Sequence, residues 1–185
     1  MNAQHIALIL RTKSKPMVSS AKHASAKRSS IGSWGLILAI SCAGAAHAAN
    51  CQLTIEANDM IQFNARALTI EASCKEVELT LHHVGKQQAH VLGHDWVLAR
   101  TNDVTALANA GIAAGFDKGY LPTGDKRVLA STKIVGGGEL TTITFSTANL
   151  VPGGDYSFFC SYPGHTTLMR GRFLVGAKES LAANR

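Results

Sequence analysis

Residues 159–171 of this 185-residue chain read FCSYPGHTTLMRG and place three metal-binding side chains within ten positions. These are the thiol of Cys160, the imidazole of His165 and the thioether of Met169. Thiolate and thioether sulfur are soft ligands, and imidazole binds copper, zinc, iron or nickel. The Cys-x4-His-x3-Met spacing therefore indicates a candidate metal-binding loop. A strand end with incidental sulfur is the alternative that the rest of the chain has to decide.

A further candidate ligand lies upstream, in the segment HVLGHDWVL. There His94 follows Gly93 at the start of a strand-like pattern. Histidine is the commonest metal ligand, because its neutral imidazole binds many metals. In a small domain a histidine at one strand end can meet a Cys–His–Met loop at another, so His94 is a candidate partner of that loop. The nearby His82 and His90 are interpreted as surface residues.

The first 48 residues are interpreted as a secretory signal peptide. They contain six basic side chains and no acidic one, and they end in the apolar run IGSWGLILAISCAGAAHA. A basic region, an apolar core and a small-residue ending are typical of such signals. We therefore expect cleavage after Ala48 and export to the periplasm. A retained anchor and lipidation at Cys42 stay open as alternatives, and Met17 is an alternative start.

The net charge of the chain belongs to this leader. The formal charge is +6, from 18 basic and 12 acidic side chains. Without the leader and its six basic side chains, the remaining 137 residues carry 12 charges of each sign. Such a chain lacks the excess of basic residues typical of nucleic-acid binding, and its length suits one domain with a single core. We expect no nucleic-acid partner and no membrane span in the mature protein.

Three cysteines remain in residues 49–185, namely Cys51, Cys74 and Cys160. Export implies an oxidising compartment in which cysteines pair, and an odd number leaves one that is free, metal-bound or paired between chains. The economical assignment is a Cys51–Cys74 disulfide, because neither residue has a histidine close by, whereas His165 and Met169 follow Cys160. A bare thiol would be open to oxidation, and bound copper would protect it.

The elements that must position these residues are mostly strands. Segments with period-two alternation are rich in Val, Ile, Thr, Phe and Tyr, and Gly, Asn, Asp and Pro separate them. They are CQLTIEA, IQFNARALTIEA, VELTLHHV, DWVLART, LTTITFST, DYSFFC and GRFLVGA. This pattern predicts an all-β fold, a Greek-key β-sandwich of about eight strands. Residues 102–116 break the pattern and predict one short inserted helix, with Asn102 and Asp103 as N-cap candidates.

The chain resembles the azurins, bacterial members of the blue-copper cupredoxin family. The resemblance extends from about residue 51 to residue 177 and rests on four segments. They are NDMIQFNARALTIEASCKEVELTL, VLGHDWVL, GFDKGYLPTGDKRVLASTKIVGGGE and FFCSYPGHTTLMRG. The last is the most specific, because cupredoxin groups differ in the spacing of Cys, His and Met, and four then three residues is the azurin spacing.

The resemblance implies one type 1 copper ion as the cofactor, in an eight-stranded sandwich with a helical flap. Its ligands would be His94, Cys160 and His165, with Met169 and the Gly93 carbonyl as weak axial contacts. Two imidazoles, one thiolate and a distant thioether suit both Cu(II) and Cu(I) tolerably. Little then has to move when an electron arrives or leaves.

The resemblance also implies roles for residues around the site. Asp95 stands where azurins usually carry an Asn that ties the two ligand loops together, and Tyr162 stands where they usually carry Phe. His83 falls where they carry a semi-buried histidine beside the site, which can titrate. The family's disulfide falls on Cys51 and Cys74. The expected apolar rim, through which the electron would leave, comprises Leu92, Tyr162, Pro163, Gly164 and Ile61.

These implications predict a function and its partners. The protein would carry single electrons between redox proteins in the periplasm, with a c-type cytochrome or a reductase as donor or acceptor. Enzymatic activity is not expected, because the motif has one metal site and no spare acid–base pair. A module that buffers or delivers copper is the competing function. Such sites tend to be open and rich in Met or Cys, whereas a single Cys160 on a short closed loop favours the carrier.

Overall fold

The computed structural model describes residues 51–176 of the chain. The expected signal peptide, with Cys42 and its lipidation, lies outside the described residues. Within them, no helix has the length and apolar character needed to cross a membrane.

Nine strands and two short α-helices make up the described part of the chain. The strands are β1 (Gln52–Asn58), β2 (Gln62–Phe63), β3 (Ala67–Ile70), β4 (Glu76–His83), β5 (Val97–Arg100), β6 (Ala130–Ser131), β7 (Leu140–Ser146), β8 (Tyr156–Phe159) and β9 (Arg170–Val175). The helices are α1 (Ala89–Leu92) and α2 (Val104–Ile112), and single 3-10 turns cover Thr101–Asp103 and Phe116–Lys118.

The strands form two sheets that pack face to face. The strand order is β2-β1-β4-β7 in the first sheet and β3-β9-β8-β5-β6 in the second. β1 pairs in parallel with β4, and β3 with β9, whereas the remaining pairs are antiparallel. Because strands that are neighbours in a sheet are often distant in sequence, the connections repeatedly cross between the sheets. The β-sandwich predicted from the alternation is therefore confirmed.

One predicted strand is two strands in the structure. The alternating segment 61–72 divides into β2, at the edge of the first sheet, and β3, at the edge of the second. At the division, Asn64 donates its backbone N–H to the Glu56 carbonyl at 3.0 Å and accepts the Glu56 N–H on its side-chain oxygen at 2.9 Å. Side chains alternate equally in either sheet, so the pattern alone could not locate this crossing.

The inward faces of the strands build the core. In β4, Val77, Leu79 and Leu81 are fully buried, and the residues between them are more exposed. The fully buried ring of Trp96 lies among three other rings, those of Phe145, Phe158 and Phe173. Burying each such large apolar side chain stabilises the fold by about 1.5–3 kcal/mol. Trp96 therefore fills the core.

A disulfide joins Cys51, just before β1, to Cys74, just before β4. The two residues are 23 positions apart in sequence. In the chain-entropy model, closing a loop of that length stabilises the folded state by about 3 kcal/mol. Among the described residues Cys160 is the free cysteine, and it is buried. The structure thus contains the disulfide that the cysteine count favours and leaves one thiol for other chemistry.

The inserted helix is shorter than the sequence predicts. It was expected within residues 102–116, and α2 covers Val104–Ile112, with Asp103 at the N-cap position. A 3-10 turn precedes it, and Gly115, which follows it, has a φ of 78° that no right-handed helix contains. The helix packs on the face of the second sheet that points away from the first. Its contacts there are Val104 and Leu107 with Val97, Ala99 and Phe159.

Candidate metal centre

Three buried side chains from two distant parts of the chain converge at one end of the second sheet. The potential ligand atoms of His94, Cys160 and His165 all lie within 4.8 Å of one another. The Cys160 Sγ atom is 3.9 Å from His94 Nδ1 and 3.7 Å from His165 Nδ1. Cys160 and His94 are fully buried, and His165 is 5% exposed. The arrangement presents two nitrogens and one sulfur to a common point.

His94 is held in place by backbone groups that contact its main chain and its ring. Its main chain pairs with Val135 in an isolated bridge, through N–H···O=C bonds of 3.0 and 2.8 Å. On the side chain, Nε2 lies 2.9 Å from the Asn58 carbonyl oxygen. A carbonyl only accepts hydrogen bonds, so Nε2 carries the hydrogen in the neutral ring. The lone pair is therefore on Nδ1, the nitrogen that faces Cys160, and it is available to a metal.

The loop from Cys160 to Met169 follows β8 and closes on itself. The Cys160 N–H donates to the Met169 carbonyl at 3.0 Å, and the Met169 N–H donates to the His165 carbonyl at 2.8 Å. Gly164 has a φ of 84°, a left-handed conformation that favours glycine and turns the chain just before His165. The Met169 side chain is fully buried. All three candidate ligands of the motif therefore face inwards from one tight loop.

Asp95 links the two ligand-bearing segments directly. Its carboxylate accepts the Ser161 N–H at 2.7 Å, and its other oxygen lies 2.6 Å from the Ser161 hydroxyl. The same hydroxyl is 2.7 Å from the carbonyl oxygen of Gly119. Asp95 follows His94 and Ser161 follows Cys160, so these bonds fix the relative position of the two candidate ligands. Burial raises the pKa of Asp95 to about 6.

Burial also sets the protonation state of the candidate ligands. It lowers the pKa of His94 to about 4 and lowers the pKa of His165. It raises the pKa of the Cys160 thiol well above its usual value, and the nearby Asp95 carboxylate adds to that effect. At neutral pH both imidazoles are therefore neutral, as metal binding requires, and the thiol must release a proton when a metal binds.

His83 packs against the site without offering a ligand atom. Its ring stacks on that of His94, with centroids 4.6 Å apart and planes 17° apart. The Gly85 N–H donates to His83 Nδ1 at 3.1 Å, so Nε2 carries the hydrogen and donates to the Leu92 carbonyl at 3.1 Å. Both nitrogens are thus occupied in the neutral ring. The Asp59 carboxylate lies 3.8 Å from Nε2.

The residues of the expected apolar rim differ in exposure, and Ile61 among them is half-buried. The ring of Tyr162 is half-buried and stacks on the His165 ring at 4.7 Å, with the planes 24° apart. Pro163 and Gly164 are exposed, and Leu92 is half-buried. The His165 side chain itself is only 5% exposed. A partner could therefore contact the surroundings of this ring more readily than the ring itself.

Sequence reasoning missed several residues that shape the site. Asn58 contributes a backbone carbonyl, so its side-chain type gives no signal. Gly119 also contributes only a carbonyl, from a loop far along the chain. Ser161 could have been suspected, because it directly follows Cys160 and hydrogen-bonding groups beside metal ligands orient those ligands. His90 was interpreted from the sequence only as a surface residue, whereas its carbonyl accepts the Tyr162 hydroxyl at 2.8 Å.

Comparison with known proteins shows which family the chain resembles in sequence. The chain matches the model for copper-binding proteins of the plastocyanin/azurin family over residues 49–176. Azurin from Bordetella pertussis is 49% identical over 124 residues, which cover 67% of this chain and 83% of that protein. Azurin from Pseudomonas fluorescens biotype A is 45% identical over 127 residues, which cover 69% and 99% of the two chains.

A solved structure agrees with these relatives. The azurin Az-iso2 from the methylotroph Methylomonas sp. strain J aligns with a TM-score of 0.66 at 38% identity, and the alignment covers 69% of this chain and 98% of that one. The donor set described above, two imidazoles, a thiol and a buried thioether, fits one type 1 copper ion as the cofactor. On the family match and these identities, the chain belongs to the plastocyanin/azurin family of copper-binding proteins.

Proposed function

We propose that this protein binds one copper ion through His94, Cys160 and His165 and carries single electrons between redox proteins in the periplasm. The observation that carries the proposal is the convergence of these three buried side chains, whose potential ligand atoms lie within 4.8 Å of one another. Membership of a copper-binding family supports the choice of metal. Copper bound there would alternate between Cu(II) and Cu(I) and so take up or release one electron.

The domain boundaries belong to the same proposal. Residues 1–48 would direct export and be removed, and residues 49–185 would form the copper-binding domain. The family match begins at residue 49, directly after the proposed cleavage site. The disulfide between Cys51 and Cys74 suits an oxidising compartment.

The protein holds its ligand side chains through bonds that do not involve the metal. The Asn58 carbonyl fixes the His94 ring, and the Met169 carbonyl accepts the Cys160 N–H. Asp95 joins the two segments through Ser161. Because these bonds are independent of the oxidation state, we expect the side chains to keep their positions when an electron arrives or leaves.

Met169 and the Gly93 carbonyl would be weak additional ligands of the copper ion. The Met169 side chain is fully buried at the end of the loop. Gly93 is buried directly before His94, and a Cβ at this position would clash with the Ala89 carbonyl and the Ile134 side chain. Glycine therefore lets the backbone pass close to the site, where any larger residue would move it.

The region around His165 is the proposed exit for the electron. Tyr162, Pro163, Gly164 and Leu92 would form the surface that meets a c-type cytochrome or a reductase. Residues 49–185 carry equal numbers of basic and acidic side chains. Long-range electrostatic steering is then weak, and recognition depends on short-range apolar contact.

Electron transfer to a real partner tests this proposal. The Cu(II)-loaded protein is mixed with a reduced c-type cytochrome of lower potential, and the haem absorbance is followed. We expect one haem to be oxidised per copper. The zinc-loaded protein is the control and should oxidise none. A copper-loaded protein that dithionite reduces but the cytochrome does not would contradict a carrier function.

Met169→Leu should change the reduction potential of the site without loss of copper. The substitution keeps the volume of the side chain nearly constant but removes a weak sulfur donor, which disfavours Cu(II). We expect copper and colour to be retained and the reduction potential to rise, by about 59 mV for each tenfold loss of preference for Cu(II). Voltammetry measures the shift. Loss of copper in this variant would instead make Met169 a principal ligand.

Leu92→Glu should slow electron self-exchange between two copies by at least about tenfold, because two apolar rims would then meet with like charges. The absorption spectrum should not change, since the side chain is half-buried outside the candidate ligand set. NMR line broadening in mixtures of the two oxidation states measures the rate. Val151→Glu, at an exposed residue between β7 and β8, is the matched control and should leave the rate unchanged. Equal rates in both variants would place the exit elsewhere.

A further inference from the structure

Tyr162 touches both ligand-bearing segments at once. Its hydroxyl donates to the His90 carbonyl at 2.8 Å. Its ring stacks on His165, with centroids 4.7 Å apart. The Tyr120 ring meets the Tyr162 ring edge-on, with the centroids 5.2 Å and the planes 70° apart. The ring is therefore held on one side by an aromatic neighbour and at its tip by a backbone carbonyl.

The position of His90 gives this hydroxyl bond its significance. His90 lies in α1, the helical turn that leads through Gly93 to His94. The bond thus joins the loop that carries His165 to the segment just before His94. Asp95 and Ser161 join the same two segments just after His94. The two links enclose His94 from both sides along the chain.

We propose that Tyr162 is a positioning residue for His165 and that it acts through its hydroxyl group. With the hydroxyl bound to the His90 carbonyl, the ring swings away from His165 less often, and the imidazole is held more firmly where it meets His94 and Cys160. The proposal rests on the ligand set given under Proposed function, because it assigns Tyr162 the task of holding one of those ligands.

The size of the effect follows from the strength of one bond. A hydroxyl–carbonyl hydrogen bond contributes about 1 kcal/mol net, which corresponds to about a fivefold change in an opening equilibrium. His165 is 5% exposed and its ring stacks against that of Tyr162, so a movement of the Tyr162 ring would expose more of the imidazole to a solvent molecule or a competing ligand. Removing the hydroxyl should therefore make this local opening about five times more frequent, without changing the stacked ring.

Tyr162→Phe tests the hydroxyl alone, and Tyr120→Phe is its matched control. Tyr120 also loses a hydroxyl from the same aromatic cluster, but that hydroxyl makes no hydrogen bond among residues 51–176. Amide hydrogen exchange is measured by NMR on the Cu(I)-loaded chain and again on the metal-free chain. The reporters are the N–H groups of His165, Leu168 and Met169, which donate within the loop. The Ser161 N–H, bound to Asp95, is the internal reference.

The expected result is exchange about fivefold faster at the three loop amides in Tyr162→Phe, with Ser161 unchanged and with no change in Tyr120→Phe. The imidazole ¹⁵N signals of His165 should broaden in Tyr162→Phe only. Transfer of Cu(I) to a chelator should be faster by about the same factor. Loop exchange equal in the two variants would overturn the proposal. Faster loop exchange with unchanged copper transfer would also overturn it, because the hydroxyl would then hold the loop but not the ligand.

The metal-free measurement separates this proposal from the proposed function. If the unsubstituted protein fails to take up copper, the ligand set is wrong whatever the loop amides do. If the protein takes up copper but the loop amides of the metal-free chain exchange at the same rate with and without the Tyr162 hydroxyl, the ligand set is supported and the proposed role of Tyr162 is wrong.

Discussion

Replacing Cys160 by serine abolishes the intense colour expected of the copper-loaded protein and its electron transfer with it. The colour of a blue copper site comes from charge transfer between a thiolate and Cu(II), and Cys160 is the free cysteine of residues 51–176. A serine hydroxyl is a hard ligand that stays protonated at neutral pH, so neither the band nor the soft donor survives. We expect complete loss of the band. Visible absorption after addition of one equivalent of Cu(II) measures it.

The fold should survive the same substitution. The core and the Cys51–Cys74 disulfide do not depend on a metal. A serine hydroxyl at this buried position needs a hydrogen-bond partner, and without one the free energy of unfolding falls by about 1–3 kcal/mol. Cys160→Ala avoids that group and serves as the second variant. Both should keep a cooperative urea transition and the far-ultraviolet circular dichroism of the parent protein. A variant that stays intensely blue would refute the ligand assignment.

Asp95→Asn should stabilise the metal-free protein by up to about 3 kcal/mol above pH 6. When Asp95 is ionised, the single hydrogen of the Ser161 hydroxyl faces two acceptors, Asp95 and the Gly119 carbonyl. An asparagine amide would donate to that hydroxyl, which could then donate to Gly119. Every group would have a partner, and no buried charge would remain.

The sign of the pH dependence follows from the raised pKa of Asp95. Burial raises it to about 6 in the folded protein, against about 3.9 in the unfolded chain. The folded state therefore binds more protons between these values, so stability from this group is present below about pH 4 and is lost as the pH rises through 6. A difference of about two in pKa corresponds to about 3 kcal/mol.

Urea unfolding of the two metal-free proteins from about pH 4 to 8 measures this difference. The groups other than Asp95 are common to both proteins, so most of their pH dependence cancels when one free energy of unfolding is subtracted from the other. We expect the curves to meet near pH 4 and to separate through pH 6, with Asp95→Asn the more stable. Curves that stay parallel over the whole range would mean that Asp95 carries no pH-dependent cost.

Much of the fold could be predicted from the sequence, because the main strands alternate cleanly. β4 and β7 are long and alternate, and each was expected where it lies. The division of residues 61–72 was not predicted, because a strand that changes sheets keeps the same period. Helix α1 was not predicted either, since four residues are too few to show a period of 3.6. The two-residue strands β2 and β6 likewise leave no pattern of their own.

The part of the candidate site that consists of metal-binding side chains could be predicted from the sequence. The residue types and spacing of Cys160, His165 and Met169 indicate candidate ligands. The position of His94 at the start of a strand does the same. The contacts that hold them were harder to foresee, because they run to backbone carbonyls. Asn58, Gly119 and His90 contribute a carbonyl oxygen, which every residue type has. Only the folded chain shows which of these carbonyls faces the site.

Titration of the metal-free protein with Cu(II) tests directly whether Cys160 binds copper as a thiolate. We expect an intense blue absorption that grows linearly and stops at one equivalent of copper. We also expect about one proton to be released per copper at neutral pH, because the thiol of Cys160 is protonated before binding and both imidazoles are already neutral. A pale or colourless product, or copper uptake without a thiolate band, would contradict this binding mode.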